Sequence, residues 1–416
     1  MLTKYKLAMR SLFRKLIVCL CIFLPFITIT QAQDFQFLDN QKRQSLSFKL
    51  IKNLIIIPIY VNGKGPYDFV LDTGVGPMII TEPSIIDSLN FTNMRKIKVS
   101  GLGLEPVEAF VSQNITAKIN RAEMKHIPTA ILKEDLFNLS GHLGTKIYGI
   151  IGYSFFSSFI VDIRYVEKRL IFSKLNQKVK YKGTKIPIVI ENLKPYIYAE
   201  IEVPDSGKTK AKLLMDTGAS HALSMEMFNG AMFPLPYSKI KASLGMSLSG
   251  QIKGYLGRIK SFSFGDFEFD DVISGFPDYN VISQKIDLKS RNGNLGADLL
   301  KKFNLQINYH EGFMYLKPNS FFKTPFEHDM IGMVIYLDQK EYKRYLIGEI
   351  DENSPADKSG LCPDDEIIGV NFRSMDAYTL SDLTELFKSG ANKSVILEIY
   401  REKKTFFKVI HLERRI

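Results

Sequence analysis

The hydrophobic positions of this chain recur in short runs broken by Gly, Asn and Pro, the pattern of many short strands. In the first half the runs are LIIIPIYVN, YDFVLDTG, IKVSGLG, EAFVSQNITAKI and FIVDIR. The second half answers with IYAEIEV, AKLLMDTG, KASLGMSLSG, GRIKSFSFGDFEF and LQINYHEGFMYL. Short helices fit PSIIDSLN, after the first DTG, and GADLLKKFN, late in the second set. After Pro318 the pattern changes to strand, small-residue turn and helix. That tail runs for about ninety residues, enough for one small domain.

The two sets of strands are one set repeated. Asp72 and Asp216 lie 144 positions apart, and the same offset carries Gly101 to Gly245 and Gly152 to Gly296. It also carries Phe159, Ile163 and Tyr165 onto Phe303, Ile307 and Tyr309. The spacing predicts two β-rich lobes, residues 48–174 and 186–318, joined by the lysine-rich SKLNQKVKYKGTK. A third domain is expected over residues 326–416.

Composition narrows the class. With 416 residues, 45% hydrophobic and 24% charged, the chain is globular rather than disordered or fibrous, and too long for one ordinary core. The formal charge is +11, but five basic residues (Lys4, Lys6, Arg10, Arg14, Lys15) and no acidic ones precede Ala32, leaving +6 for the rest. Those charges are interspersed, which describes a solvated surface and not a nucleic-acid face. The basic start, the apolar run Leu16–Thr30 and the small Ala32 have the layout of a secretory signal peptide over residues 1–32. The run is short for a membrane span and holds Pro25. An uncleaved anchor is the other reading, and membrane attachment is expected only in that case. Cys19 and Cys21 fall in the leader and Cys362 stands alone, so no internal disulfide is expected. The six histidines form no HExxH-like pair, and no metal or cofactor is expected. Together these features predict an exported protein of the periplasm or envelope of a bacterium.

A lone Asp-Thr-Gly is ordinary turn chemistry. Two copies, each ending an apolar strand (FVLDTG and LLMDTG) within a fixed repeat, ask for a common purpose. If the lobes meet face to face, Asp72 and Asp216 come together and share one proton. The ionised partner then takes a proton from a held water, while the protonated partner donates to a substrate carbonyl oxygen. In the same picture Thr73 and Thr217 brace the two loops. Gly74 and Gly218 leave room for close backbone approach and donate amides to the carboxylates.

On these residues the chain resembles the two-lobed, retropepsin-like bacterial aspartyl proteases over nearly all of residues 48–318, and its tail resembles a PDZ domain. The resemblance implies a mainly β fold: a two-lobed pepsin/retropepsin-like β-barrel protease plus a small α/β PDZ-like domain, with Asp72 and Asp216 as the catalytic pair. It implies an apolar-apolar-Gly segment behind each loop, matched by Ile150-Ile151-Gly152 and, with a polar first residue, by Asn294-Leu295-Gly296. It implies a flap near residues 100–103 or 245–250, with Gly101, Gly103, Gly245 and Gly250 as candidates. Val75 is a departure, standing after the first DTG where the family carries Ala or Ser, as Ala219 does in the second lobe. In the tail, SPADKSGL followed by DDEIIGVN carries the PDZ resemblance, although Asp364 stands where that family has Gly. Met330–Met333 corresponds loosely to its carboxylate-binding loop, so the amides of Ile331, Gly332 and Met333 are implied to take a peptide C-terminus. The function implied is an exported aspartic endopeptidase, acting as a monomer on polypeptide substrates with the PDZ domain recognising peptides. The alternative is a catalytically inactive pseudo-protease that binds peptides in the envelope.

Overall fold

Alternate residues of the strand Leu54–Val61 feed two separate cores. Ile55, Ile57, Ile59 and Val61 enter the main core, while Leu54 and Ile56 pack with Val70, Leu143, Ile147 and Ala297 on the opposite face. Burial on both faces explains why LIIIPIYV reads as a continuous apolar run and not as alternation. The computed structural model that shows this describes residues 34–85, 94–99, 107–135, 138–247, 250–278, 291–338 and 343–416. The leader and the candidate flap residues Gly101 and Gly103 lie outside the described residues.

The two lobes share one strand topology. In the first, Leu54–Val61 turns at Asn62-Gly63 into Lys64–Leu71, both turn residues having positive φ as a tight hairpin requires. Next to Lys64–Leu71 lies Gly149–Ile151, parallel, then Met78–Ile80, Thr129–Leu132, Val107–Ser112 and Arg95–Val99. The second lobe sets Lys194–Val203, Gly207–Asp216, Gly293–Gly296, Leu223–Met225, Phe267–Pro277, Gly250–Phe264 and Lys239–Ser247 side by side in the corresponding order and sense.

A six-stranded sheet joins the lobes. At its centre Phe159–Arg164 of the first lobe pairs with Phe303–Asn308 of the second. Asp162 there faces Gln306, its own counterpart 144 residues on, so the local two-fold axis of the repeat passes between them. The outer strands are Arg43–Ser47 and Thr184–Pro187. The first lobe therefore takes in chain before residue 48, and Phe35 is buried in an edge-to-face cluster with Phe155. The segment between the lobes is also more than a tether, since Tyr181 stacks on Tyr315 with centroids 4.7 Å apart.

Among the described residues the α-helices are short: α1 (Leu139–Leu143), α2 (Tyr153–Ser158), α3 (Ala297–Leu300), α4 (Pro355–Lys358) and α5 (Leu380–Phe387). None is long and apolar enough to cross a membrane. The C-terminal domain has its own core around Ile347, Leu383, Leu397 and Ile410. Its sheet runs Met333–Asp338, Arg344–Ile350, Glu366–Val370, Ser394–Arg401, Lys404–His411. Asp364, the departure noted in the tail, adopts φ +68°, a left-handed conformation that short polar side chains tolerate.

Candidate active site

Each DTG loop follows the last residues of a hairpin strand and turns over a glycine supplied from far along the chain. A Cβ at Gly152 would lie 2.0 Å from the Asp72 carbonyl oxygen, and one at Gly296 would lie 2.1 Å from that of His221. No other residue fits either place, which accounts for the glycine ending both Ile150-Ile151-Gly152 and Asn294-Leu295-Gly296. The helices α2 and α3 then start directly behind the loops, tied by Tyr153 N–H to the Val75 carbonyl (3.0 Å) and Ala297 N–H to the Ala219 carbonyl (2.7 Å). Val75 and Ala219 thus do the same backbone work. The Val75 side chain packs against the small cluster of Ile79, Ala109, Ala130 and Leu132.

The loops meet across the lobe boundary. Thr73 N–H donates to the Thr217 hydroxyl and Thr217 N–H to the Thr73 hydroxyl, both at 3.0 Å. The hydroxyls donate in turn to the carbonyls of Met215 (2.6 Å) and Leu71 (2.9 Å), the residues under the opposite aspartate. Both threonines are fully buried. Gly74 N–H donates to Asp72 Oδ1 at 2.6 Å, and Gly218 N–H to Asp216 Oδ1 at 3.0 Å. The glycines also face the opposite acids: a Cβ on Gly218 would sit 2.2 Å from Asp72 Cγ, and one on Gly74 3.0 Å from Asp216 Cγ. Asp72 and Asp216 are in side-chain hydrogen-bond contact. All six residues singled out at the loops are therefore brought together.

The two acids are not equivalent. Burial, then the charge of Asp216, pushes the Asp72 carboxyl well above the usual carboxylate range, against the pull of the Gly74 N–H and the Lys194 charge. Asp216 accepts a further hydrogen bond, from Asn294 Nδ2 at 3.2 Å. In the first lobe the matching place is held by Ile150, which has nothing to donate. The polar departure from the apolar-apolar-Gly pattern thus adds a donor to one acid of the pair.

Several residues at the site carried no motif. Lys194 is half-buried, within electrostatic reach of Asp72, Asp216, Glu226 and Arg291, and burial lowers its ammonium pKa. Arg291 and Glu226 form a buried two-bond ion pair, both bonds at 2.9 Å. Two hairpin tips exchange places between lobes. Asn53 Nδ2 donates to the Ser220 carbonyl at 2.8 Å, just beyond the second DTG. Leu193 reaches back against Gly76, just beyond the first, its Cδ1 3.4 Å from where a Cβ would stand. Both tips are tight turns with paired positive φ, at Lys52-Asn53 and Asn192-Leu193.

Of the flap candidates, Gly245 sits at a bulge with φ +117° in Lys239–Ser247, and Gly250 opens the strand paired with it. Residues 248–249 at the tip lie outside the described residues. In the C-terminal domain Ile331 N–H and Gly332 N–H both donate to Asp329 Oδ1, at 2.9 and 2.6 Å. Met333 begins the strand that follows. No group of side chains among the described residues has the makeup of a metal site.

Residues 57–155 match the family model described as aspartyl protease, and residues 346–401 match that of the PDZ domain. Among solved structures, the chain is similar to the aspartic proteinase from Irpex lacteus at 10% identity, with 68% of this chain and 99% of that one covered and a TM-score of 0.39. It is similar to a retropepsin-like aspartic protease from Rickettsia conorii at 17% identity, with 34% and 96% covered and a TM-score of 0.24. The chain thus joins two lobes of matching topology, their DTG loops clasped at the boundary, with an aspartyl protease domain match over residues 57–155 and a PDZ domain match over residues 346–401.

Proposed function

We propose that the chain is an exported aspartic endopeptidase that hydrolyses peptide bonds with the Asp72/Asp216 pair and one water. The observation that carries this reading is the reciprocal threonine clasp, which holds two carboxyl groups in contact at the lobe boundary. Like-charged carboxyls that close cannot both ionise at neutral pH, so the pair holds one proton. The raised Asp72 supplies that proton as the acid. Asp216, with donors from Gly218 and Asn294, acts as the base.

In the reaction Asp216 removes a proton from water as the oxygen adds to the scissile carbonyl carbon. Asp72 gives its proton to the carbonyl oxygen, and a neutral tetrahedral diol forms. A proton then passes from Asp216 to the peptide nitrogen while Asp72 takes back one from a diol hydroxyl. The C–N bond breaks, and the products are a carboxylic acid and an amine. Water and not a side chain is the nucleophile, so no covalent bond to the enzyme forms.

Export rests on the leader read from the sequence, and a polypeptide substrate rests on the aspartyl protease match over residues 57–155 and the paired acids. The test is cleavage of an unfolded protein across mildly acidic to neutral pH. Turnover by the wild type, lost on addition of a statine-type transition-state mimic, supports the proposal. Saturable peptide binding without any turnover overturns it in favour of a pseudo-protease that only binds.

A further inference from the structure

We infer that the PDZ groove of this chain is an internal socket, and that its occupant is the first protease lobe and not the C-terminus of another polypeptide. A PDZ groove takes a peptide as an added strand, between the edge of the sheet and the neighbouring helix, with the peptide carboxylate at the loop before the edge strand. Here the edge strand is Met333–Asp338, the helix is α5, and Met330 N–H bonds the Phe387 carbonyl to close the loop end.

The loop, the edge strand and the helix of that groove each have an intramolecular contact. At the loop, the carboxylate of Asp329 takes the amides of Ile331 and Gly332 through one oxygen. The carbonyls of the same residues are bonded by Ala356 N–H and by Asp351 N–H and the Ser354 hydroxyl. A bound carboxylate would have to displace an aspartate that this chain supplies itself. Along the groove, α1 lies against the edge strand, with the His142 ring 6.3 Å from that of Tyr336. Gly144, which ends α1 at φ +70°, sits so close to Leu380 of α5 that a Cβ would be 3.0 Å from the leucine Cγ. Lys52 completes the cover at the loop end, within electrostatic reach of Asp329 and of Lys388, the residue that ends α5. Both side chains are half-buried there, and that burial lowers Lys52 to a pKa of about 8 and His142 to about 4.

The contact reaches both lobes. Lys52 shares its turn with Asn53, the residue that reaches Ser220 behind the second DTG. On the other side, Glu349 of the PDZ strand Arg344–Ile350 hydrogen-bonds Ser243, in the candidate flap hairpin of the second lobe. The PDZ domain therefore touches both lobes, at the Lys52 turn of the first and at Ser243 within the candidate flap hairpin of the second.

The experiment uses the full chain with Asp216→Asn, so that no peptide is cut. Labelled ten-residue peptides ending in Val, Leu or Phe are titrated as free acids and as amides, and binding is read by anisotropy. The expected result is that acid and amide forms behave alike, with no saturable carboxylate-dependent binding below about 1 mM. In parallel, cysteines replace His142 and Tyr336 in a Cys19→Ser, Cys21→Ser, Cys362→Ser background and meet a short thiol cross-linker. A nearly complete intramolecular link is expected. Carboxylate-dependent binding in the micromolar range overturns the inference, as does a pair that each react singly but do not link. The titration needs no interface variant, and neither readout depends on proteolysis, so failure here is separate from failure of the proposed activity.

Discussion

Thr73 and Thr217 hold each other across the lobe boundary, each receiving the other's backbone N–H on its hydroxyl at 3.0 Å. Because each hydroxyl also donates to a carbonyl under the opposite aspartate, four buried backbone groups depend on two side chains. A buried backbone group left without a partner costs about 1–3 kcal/mol. Thr73→Ala and Thr217→Ala each orphan two groups and are expected to lower unfolding stability by about 2–4 kcal/mol. Thr→Ser keeps the hydroxyl and loses a methyl, at a cost of about 1 kcal/mol. Denaturant unfolding of the four variants measures this, and equal losses for Ala and Ser would show that the clasp contributes nothing.

The glycines after the threonines predict an asymmetry. A methyl at position 218 meets Asp72 at 2.2 Å, whereas one at position 74 meets Asp216 at 3.0 Å. Gly218→Ala is expected to abolish turnover, and Gly74→Ala to lower kcat by a smaller factor. Purified variants of equal fold content, assayed side by side, check this order. The reverse order would mean that the loops sit differently from the arrangement described.

Asn294 is expected to tune the pair and not merely to fill space. Replacing it by Ile copies the first lobe's Ile150 and removes the donor to Asp216. Asp216 then has one hydrogen-bond donor fewer to orient it, so Asn294→Ile should lower kcat more than it changes KM. An unchanged kcat would reduce Asn294 to a packing residue.

The raised Asp72 makes a prediction about stability. Its native pKa lies above its unfolded value of about 4, so the native state binds more protons between those two points. The stability this group contributes is full below the lower value and is lost as pH rises through the window toward the raised native value. Asp72→Asn removes that dependence. The variant's Tm should therefore exceed the wild type's by a margin that grows from pH 4 toward neutral. A margin independent of pH would show that Asp72 is not held protonated.

Much of this site is legible in the sequence because duplication repeats what chemistry requires. The offset of 144 relates Thr73 to Thr217, Gly152 to Gly296 and Asp162 to Gln306, and each pair meets or performs matching work. The crossed hairpin tips were hidden because the offset changes there. Asn53 and Leu193 are 140 apart, the second lobe's hairpin being longer in its strands and its turn. Lys194 gave no signal, since a lysine beginning a strand is most often solvated. The covered PDZ groove was illegible for a different reason. It rests on Lys52, His142, Gly144 and Asp329, single residues from distant segments, and no periodicity links them. Asn294, by contrast, stood out as a departure, and its contact with Asp216 gives that departure a physical role.

The central claim is that Asp72 and Asp216 form one catalytic unit holding one proton. Its most direct test is single-turnover cleavage of an unfolded protein by the wild type, Asp72→Asn and Asp216→Asn across pH. Loss of either acid should cost about 100-fold or more, because acid and base act together on one bond. A single mutant that keeps wild-type turnover would contradict the shared pair.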